Sequence, residues 1–486
     1  MSIISMFAAL APVLQLDEVP DLGAFQQSVR WAVIVGFILA FILGFGMGAN
    51  DVSNAFGTSV GSGALTIFQA YILASIFETL GAVLVGYSVT DTMRKTVVDV
   101  DIYNNTPKEL LLGEVAALGG CATWLLIATA LSLPVSTTHS IIGATLGFSL
   151  VLRGTQGIMW GKLIQIVLSW IVSPVLSGTI SSILYIITDN TVLRKADPIK
   201  HGLRLLPVFY FACLAVNAFM VTYQGSPLLH FDQLTWWECA LISLGVGILA
   251  ALFARFFIRK RLERRIEDID REAIEDGKKA AELARAERKA TEIETEEKKG
   301  FIATITNILP DRTRGPEDIR VLQMFIALQS FTACYAGFAH GANDVGNAIA
   351  PLAAVVAIYQ GDFSETEGVP LYVLLYGVIA ICIGLWCLGH RVIKTVGSKM
   401  SVVTPASGFC IEFGAAMTVL IASKLGLPIS TTHCLVGSVV AVGHLRSGDS
   451  VDWHLFSHVA LSWVVTLPAA GIAAAIIMEL FKFDLP

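Results

Sequence analysis

The chain has 486 residues, 55% of them hydrophobic, a mean hydropathy of +0.69, and 33 basic against 39 acidic side chains. Residues 259–300 alone hold 13 of the basic and 13 of the acidic ones, so elsewhere charge falls to about one residue in ten, too sparse to cover a water-facing globule but suited to a lipid-facing one. The net charge of −6 offers no basic patch for nucleic acid, and the eight cysteines, in or beside apolar stretches and without CxxC spacing, read as small buried hydrophobes, not as a disulfide or zinc framework.

Met1–Leu14 is mildly apolar, lacks a basic n-region and is followed by Asp17, Glu18 and Asp21, which disfavours a cleaved signal peptide. Stretches long enough to cross a bilayer then follow at Trp31–Gly48, Ala64–Val89, Leu110–Leu133, Trp160–Ile187, Leu203–Tyr223 and Trp237–Ile258. After the charged segment come Val321–Ala339, Leu371–Gly389, Gly408–Leu427 and Leu455–Phe481. Two shorter ones, Ser140–Leu152 and Cys434–Leu445, each follow the same motif, Pro134-Val-Ser-Thr-Thr-His139 and Pro428-Ile-Ser-Thr-Thr-His433.

Those motifs belong to an internal repeat. Gly48-Ala-Asn-Asp-Val-Ser-Asn-Ala55 recurs as Gly341-Ala-Asn-Asp-Val-Gly-Asn-Ala348 with an offset of 293, and the Ser-Thr-Thr-His copies are offset by 294. The chain therefore divides into an N-terminal half, 1–258, a charged loop, 259–320, and a C-terminal half, 321–486. Arg259-Lys-Arg-Leu-Glu-Arg-Arg265 flanks a span and marks the loop as cytoplasmic; the rest of it reads as a solvated, partly helical segment. If Ser140–Leu152 crosses, seven segments precede the loop, which puts the N-terminus outside, together with the sequon Asn104-Asn-Thr106. An odd number of crossings per repeat makes the second half inverted. The expected fold is an all-α polytopic membrane protein of about 12 transmembrane segments, with two inverted-topology repeats and broken or re-entrant helices, the architecture of many secondary transporters.

Asn50, Asp51 and Asn54, and Asn343, Asp344 and Asn347, put acids and amides directly after apolar spans. One copy could be helix capping; two copies in one register point to function, because an intramembrane acid must face a cavity or a partner. Their oxygens, with carbonyls of an unwound glycine-flanked backbone, suit a hard cation such as sodium. Ser136, Thr137 and Thr138, and Ser430, Thr431 and Thr432, follow helix-breaking prolines and begin short helices whose N-termini make anion sites. Glu78 and Glu412 lie inside spans as candidate cation ligands or proton relays, at non-equivalent repeat positions, and Glu114 near a span end reads as structural. His139, His340 and His433 raise an intramembrane metalloenzyme as a rival, weakened by the lack of HxxxH or HExxH spacing. The pairs Arg94-Lys95 and Arg391/Lys394 are either ordinary span flanks or an anion-attracting vestibule.

At these motifs, with the extension Phe56-Gly-Thr-Ser-Val-Gly-Ser-Gly63, the sequence resembles the inorganic phosphate transporter (PiT) family, and within it the animal and fungal type III sodium–phosphate cotransporters. The resemblance covers Trp31 to Ile258 and Val321 to Phe481 and omits the loop. It implies phosphate as the anion and sodium as the coupling ion, with protons in many bacterial and plant relatives. It also implies that Asp51, Asn54, Asp344, Asn347 and the Ser/Thr groups build the phosphate and sodium sites, and that Glu78 and Glu412 are required. The expected protein is thus no enzyme and needs no cofactor beyond sodium as coupling ion. It is a glycosylated plasma-membrane symporter, both termini outside, that meets phosphate, sodium and the bilayer and is compatible with a homodimer. Transport of another oxyanion such as sulfate, phosphate sensing without flux, and intramembrane hydrolysis stand as the alternatives.

Overall fold

The computed structural model describes residues 22–94, 97–223, 229–275, 309–310, 317–363, 368–425, 429–446 and 451–485. The side chains of 52–54, 87–89, 91–94, 273–275 and 398 lie outside that description, as do Met1–Asp21, Lys95 and Pro428. Expectations resting on Asn54, Arg94-Lys95, Pro428 and the N-terminal stretch therefore fall outside the described residues.

The helices in order are α1 (Leu22–Gly61), α2 (Ile67–Arg94), α3 (Pro107–Ala130), α4 (Thr137–Arg153), α5 (Trp160–Thr188), α6 (Pro198–Thr222) and α7 (Trp236–Phe253). They continue as α8 (Arg259–Glu275), α9 (Ile319–Gln360), α10 (Leu371–Leu388), α11 (Pro405–Lys424), α12 (Thr431–Arg446) and α13 (Trp453–Phe481). Among the described residues ten helices are long and apolar enough to cross a membrane, and they coincide with the ten spans read from the sequence. The short segments are α4 and α12, of 17 and 16 residues; at 1.5 Å per residue each is about 25 Å long, short of the ~30 Å hydrocarbon core.

Packing follows the repeat. Helix α1 lies on α10 as α9 lies on α2, and α4 lies on α13 as α12 lies on α5. The close glycine contacts obey the same exchange: Gly48 backs onto the carbonyl of Ile381 and Gly341 onto that of Glu78, while Gly384 faces Phe45 and Gly81 faces Phe338. Glu78 thus has Ile381 as its counterpart, and only one repeat carries the acid. Helices α3 and α11 sit at the centre, with 78% and 83% of their most apolar windows buried, against 22% for α5 and α13. The outer helices present Ile171, Val175, Leu249 and Ile472 outward, as lipid-facing surfaces must.

Direction is readable from the contacts. Gly143 packs against Leu467 and Gly147 against Gly471, so α4 and α13 run parallel. His139 near the start of α4 meets Trp170 well inside α5, the pattern of an antiparallel hairpin closed by the 154–159 turn. The equivalent helices α5 and α13 consequently run in opposite directions.

Helices α1 and α9, of 40 and 42 residues, span about 60 Å each. Their Gly-Ala-Asn-Asp motifs lie inside continuous helix, not beyond its end in the unwound backbone expected from the sequence. Asn and Asp favour caps when their side chains have nothing better to bond; here tertiary partners engage them. Pro134 likewise stands past the end of α3. The helix closes in a Schellman turn, with Ser132 in the left-handed region at φ 57° and bonds from Ser132 N to Thr129 O and from Leu133 N to Ala128 O, at 3.0 and 2.9 Å.

Candidate functional site

The site forms where the starts of α4 and α12 meet. Ser136 caps α4 by accepting from His139 N at 3.2 Å, and Ser430 accepts from His433 N at 3.3 Å. Each linker is bonded by the opposite repeat: the Thr138 hydroxyl lies 3.4 Å from Ile429 O and Thr432 donates to Val135 O at 3.2 Å. The His139 and His433 rings touch edge to face at 4.8 Å, His433 stacking on Trp463 at 3.8 Å. Two helix N-termini with six buried hydroxyl residues, Ser136, Thr137, Thr138, Ser430, Thr431 and Thr432, therefore converge from both halves.

Against them stand the motifs of α1 and α9. Asp51 bonds Thr137 and lies 3.4 Å from the Thr432 hydroxyl, within electrostatic reach of both Asp344 and Glu78. Asp344 accepts from the Asn343 amide at 3.1 Å and has His340 Nδ1 at 3.9 Å. Asn347 donates to the Thr138 hydroxyl at 2.9 Å. Asn50 works differently: its amide donates to the Thr129 hydroxyl and Leu133 O, at 3.1 and 3.0 Å, and its carbonyl accepts from Val135 N at 3.0 Å. It clamps the linker that carries α4 into place.

Three buried acids, Asp51, Glu78 and Asp344, thus share one region, and no Lys or Arg is buried among the described residues. Like charges in low dielectric repel by several kcal/mol per pair at contact distance, so occupancy by cations or protons is required for the region to hold charge. Its carboxylate, amide and hydroxyl oxygens suit sodium. Among the described residues no three His, Cys, Asp or Glu side chains form a group that could hold a metal ion, so a cation bound here would need hydroxyl, amide or carbonyl oxygens beside the acids.

Glu412 stands apart in a nest of its own. Its Oε1 accepts from Thr58, Ser59 and Gln329 at 2.6, 2.6 and 3.1 Å, and its Oε2 from Thr332 at 2.9 Å. One carboxylate thereby ties α11 to both long helices. Thr58 and Ser59 lie in the quoted extension of the first motif, and Gln329 and Thr332 are polar residues inside an apolar span; both were signals that sequence reasoning passed over. Asn104, in the 97–106 loop, is exposed.

Inverted helices around a buried, oxygen-lined region at two half-helix ends are the architecture of a secondary transporter. The model of the phosphate transporter family matches residues 47–474. Two curated relatives are called sodium-dependent phosphate transporter 1: that of Mus musculus is 34% identical, over 93% of this chain and 95% of its own, and that of Homo sapiens 34%, over 93% and 96%. A solved structure titled "The sodium-dependent phosphate transporter" superimposes with a TM-score of 0.76 at 33% identity, over 93% of this chain and 99% of the other. The chain belongs to the phosphate transporter family.

Proposed function

We infer that this chain is a sodium-coupled symporter that imports inorganic phosphate by alternating access. The observation that carries the reading is the juxtaposition of two converging helix N-termini with three buried carboxylates and no buried Lys or Arg among the described residues. The N-termini and hydroxyls of Ser136–Thr138 and Ser430–Thr432 suit a tetrahedral oxyanion. Asp51, Glu78 and Asp344 would repel that anion by about 4 kcal/mol per unit-charge pair at 4 Å and an effective dielectric of 20. Sodium ions held by these acids, with Asn343 and Asn347 beside them, convert repulsion into attraction. Coupling thus follows from electrostatics: phosphate is held well only when sodium is present. In this reading Asn50 and Glu412 act on the sodium region by fixing the α3–α4 linker and the α1–α9–α11 contact.

The topology we propose is that of a plasma-membrane protein with both termini and Asn104 outside and the 259–320 loop cytoplasmic, between halves 1–258 and 321–486. Two sets of contacts, one near each end of α9, support opposite sides for these landmarks. The 97–106 loop leads to Lys108, which pairs with Asp484 at 3.0 Å; Asp484 bonds Trp31 at 3.2 Å, and Gln26 bonds Tyr359 O at 2.9 Å near the end of α9. Helix α8 pairs with the start of α9 through Asp270 and Arg320 at 3.3 Å.

The test is labelled phosphate uptake into proteoliposomes. An inward sodium gradient is expected to drive it, a proton gradient alone is not, and Asp51→Asn and Asp344→Asn should each abolish it in correctly folded protein. Full uptake in both variants would sink the assignment. Uptake driven equally by protons would transfer the coupling to them, and uptake that excess unlabelled phosphate leaves unblocked would mean another oxyanion.

A further inference from the structure

At the end of the seventh helix the chain changes character within a few residues. Helix α7 passes through a π-helical turn, Ala254–Ile258, into α8, whose Leu262 and Ile266 are buried against the start of α9. Between these elements opens a groove of about 940 Å³. One wall is apolar, with Phe256, Phe257, Ile326 and Ala327; the other carries Lys260, Arg261, Arg264 and Arg265. Phe256 and Phe257 are 53% and 66% exposed, Phe257 stacking on Phe253 at 5.2 Å, so more than half of each residue is left uncovered.

The cations are equally unengaged. Neighbouring Arg259 pairs with Glu263 at 2.8 Å, Arg271 reaches Glu267 and Asp268 at 3.9 Å, and Arg320 pairs with Asp318 and Asp270. Lys260, Arg261, Arg264 and Arg265 form no ion pair with a described residue, though α8 is rich in acids. Asp268 is the single acid lining the groove among the described residues. Four cations without an ion-pair partner among the described residues, beside apolar side chains at the end of a membrane-crossing segment, match a molecule with an anionic head and hydrocarbon tails.

We propose that this groove is a binding site for an anionic glycerophospholipid of the leaflet facing the charged loop. Its headgroup phosphate lies among Lys260, Arg261, Arg264 and Arg265, and its acyl chains run along Phe256, Phe257 and Ile326. Guanidinium groups recognise phosphate oxygens in a bidentate manner, and basic pockets beside membrane helices select anionic headgroups. The groove is distinct from the transport site: none of its lining residues lies in the two repeated motifs, and its cations belong to α8, which has no counterpart in the second half, while Gln323, Ile326 and Ala327 come from the first turns of α9, well before its motif.

The experiment uses the full chain, purified and placed in nanodiscs of phosphatidylcholine doped with phosphatidylserine or phosphatidylinositol, with lipid co-purified on extraction counted by mass spectrometry. Wild type is expected to retain the anionic lipids over phosphatidylcholine. A variant with Lys260, Arg261, Arg264 and Arg265 all changed to Gln should lose that preference, with roughly a fivefold loss per cation at low salt. The swap that keeps charge, K260R with R261K, R264K and R265K, should keep at least part of it and controls for folding, as does retained sodium-dependent phosphate binding in both variants. No preference in wild type, or an undiminished one in the Gln variant, would overturn the site. Displacement of the lipid by millimolar inorganic phosphate alone would overturn the lipid as occupant and assign the cations to free phosphate.

Discussion

Glu412→Gln tests a buried acid that accepts four hydrogen bonds. Three donors, Thr58, Ser59 and Gln329, converge on Oε1, and Thr332 meets Oε2. Hydrogen bonds to a charged acceptor contribute about 1 kcal/mol more than those to a neutral one. A glutamine whose carbonyl replaces Oε1 keeps three contacts in weakened form, a loss of about 3 kcal/mol. The fourth is repaired locally, because the Thr332 hydroxyl also lies 2.9 Å from Gln329 O and can donate there while accepting from the new amide. Glu412→Leu has no such repair: it leaves the Gln329 amide, with its bond from Ser62 at 2.7 Å, facing hydrocarbon, and should cost about 2 kcal/mol more. Thermal unfolding in detergent, read by intrinsic fluorescence, should rank wild type above Gln above Leu, and sodium-driven uptake should fall in the same order. An unchanged midpoint for the Gln variant would refute the reasoning, since it would mean that the carboxyl group is neutral in the fold and the donors meet no charge.

The glycines of the two motifs give a steric test: a Cβ on Gly48 would stand 1.8 Å from Ile381 O and one on Gly341 2.2 Å from Glu78 O, so Gly48→Ala or Gly341→Ala should cut folded yield and uptake, whereas Gly161→Ala, where a Cβ meets nothing within 4 Å, should be neutral or stabilise by about 1 kcal/mol. Ser136→Ala and Ser430→Ala remove the caps of α4 and α12, costing about 1 kcal/mol each; a raised phosphate KM in uptake assays is the expected reading, and an unaltered one would remove these serines from the anion site. Asn50→Ala frees the α3–α4 linker and should lower maximal uptake while leaving surface expression intact, as judged by surface labelling. Asn104→Gln should reduce the apparent mass in a glycosylating host without loss of uptake, and an unchanged mass would place that loop on the other side.

Much of this protein follows from its sequence alone, for a physical reason. Long apolar runs have to become helices in lipid, because the backbone has no other donors there, so all ten spans were legible from hydropathy. The duplicated motifs announced two related halves, since polar groups in hydrocarbon persist only where they are used. Partners were not legible. That Asn50 clamps a linker while its counterpart Asn343 donates to Asp344 depends on which helix lies opposite, and the two copies of one motif differ in this despite near-identical residues. The continuity of α1 and α9 through Asn and Asp, the pairing of Glu78 with a hydrophobic counterpart at Ile381, and the nest around Glu412 arise from contacts between residues tens to hundreds of positions apart. Composition and periodicity report how each segment meets its solvent; only the packed structure decides which buried polar group meets which.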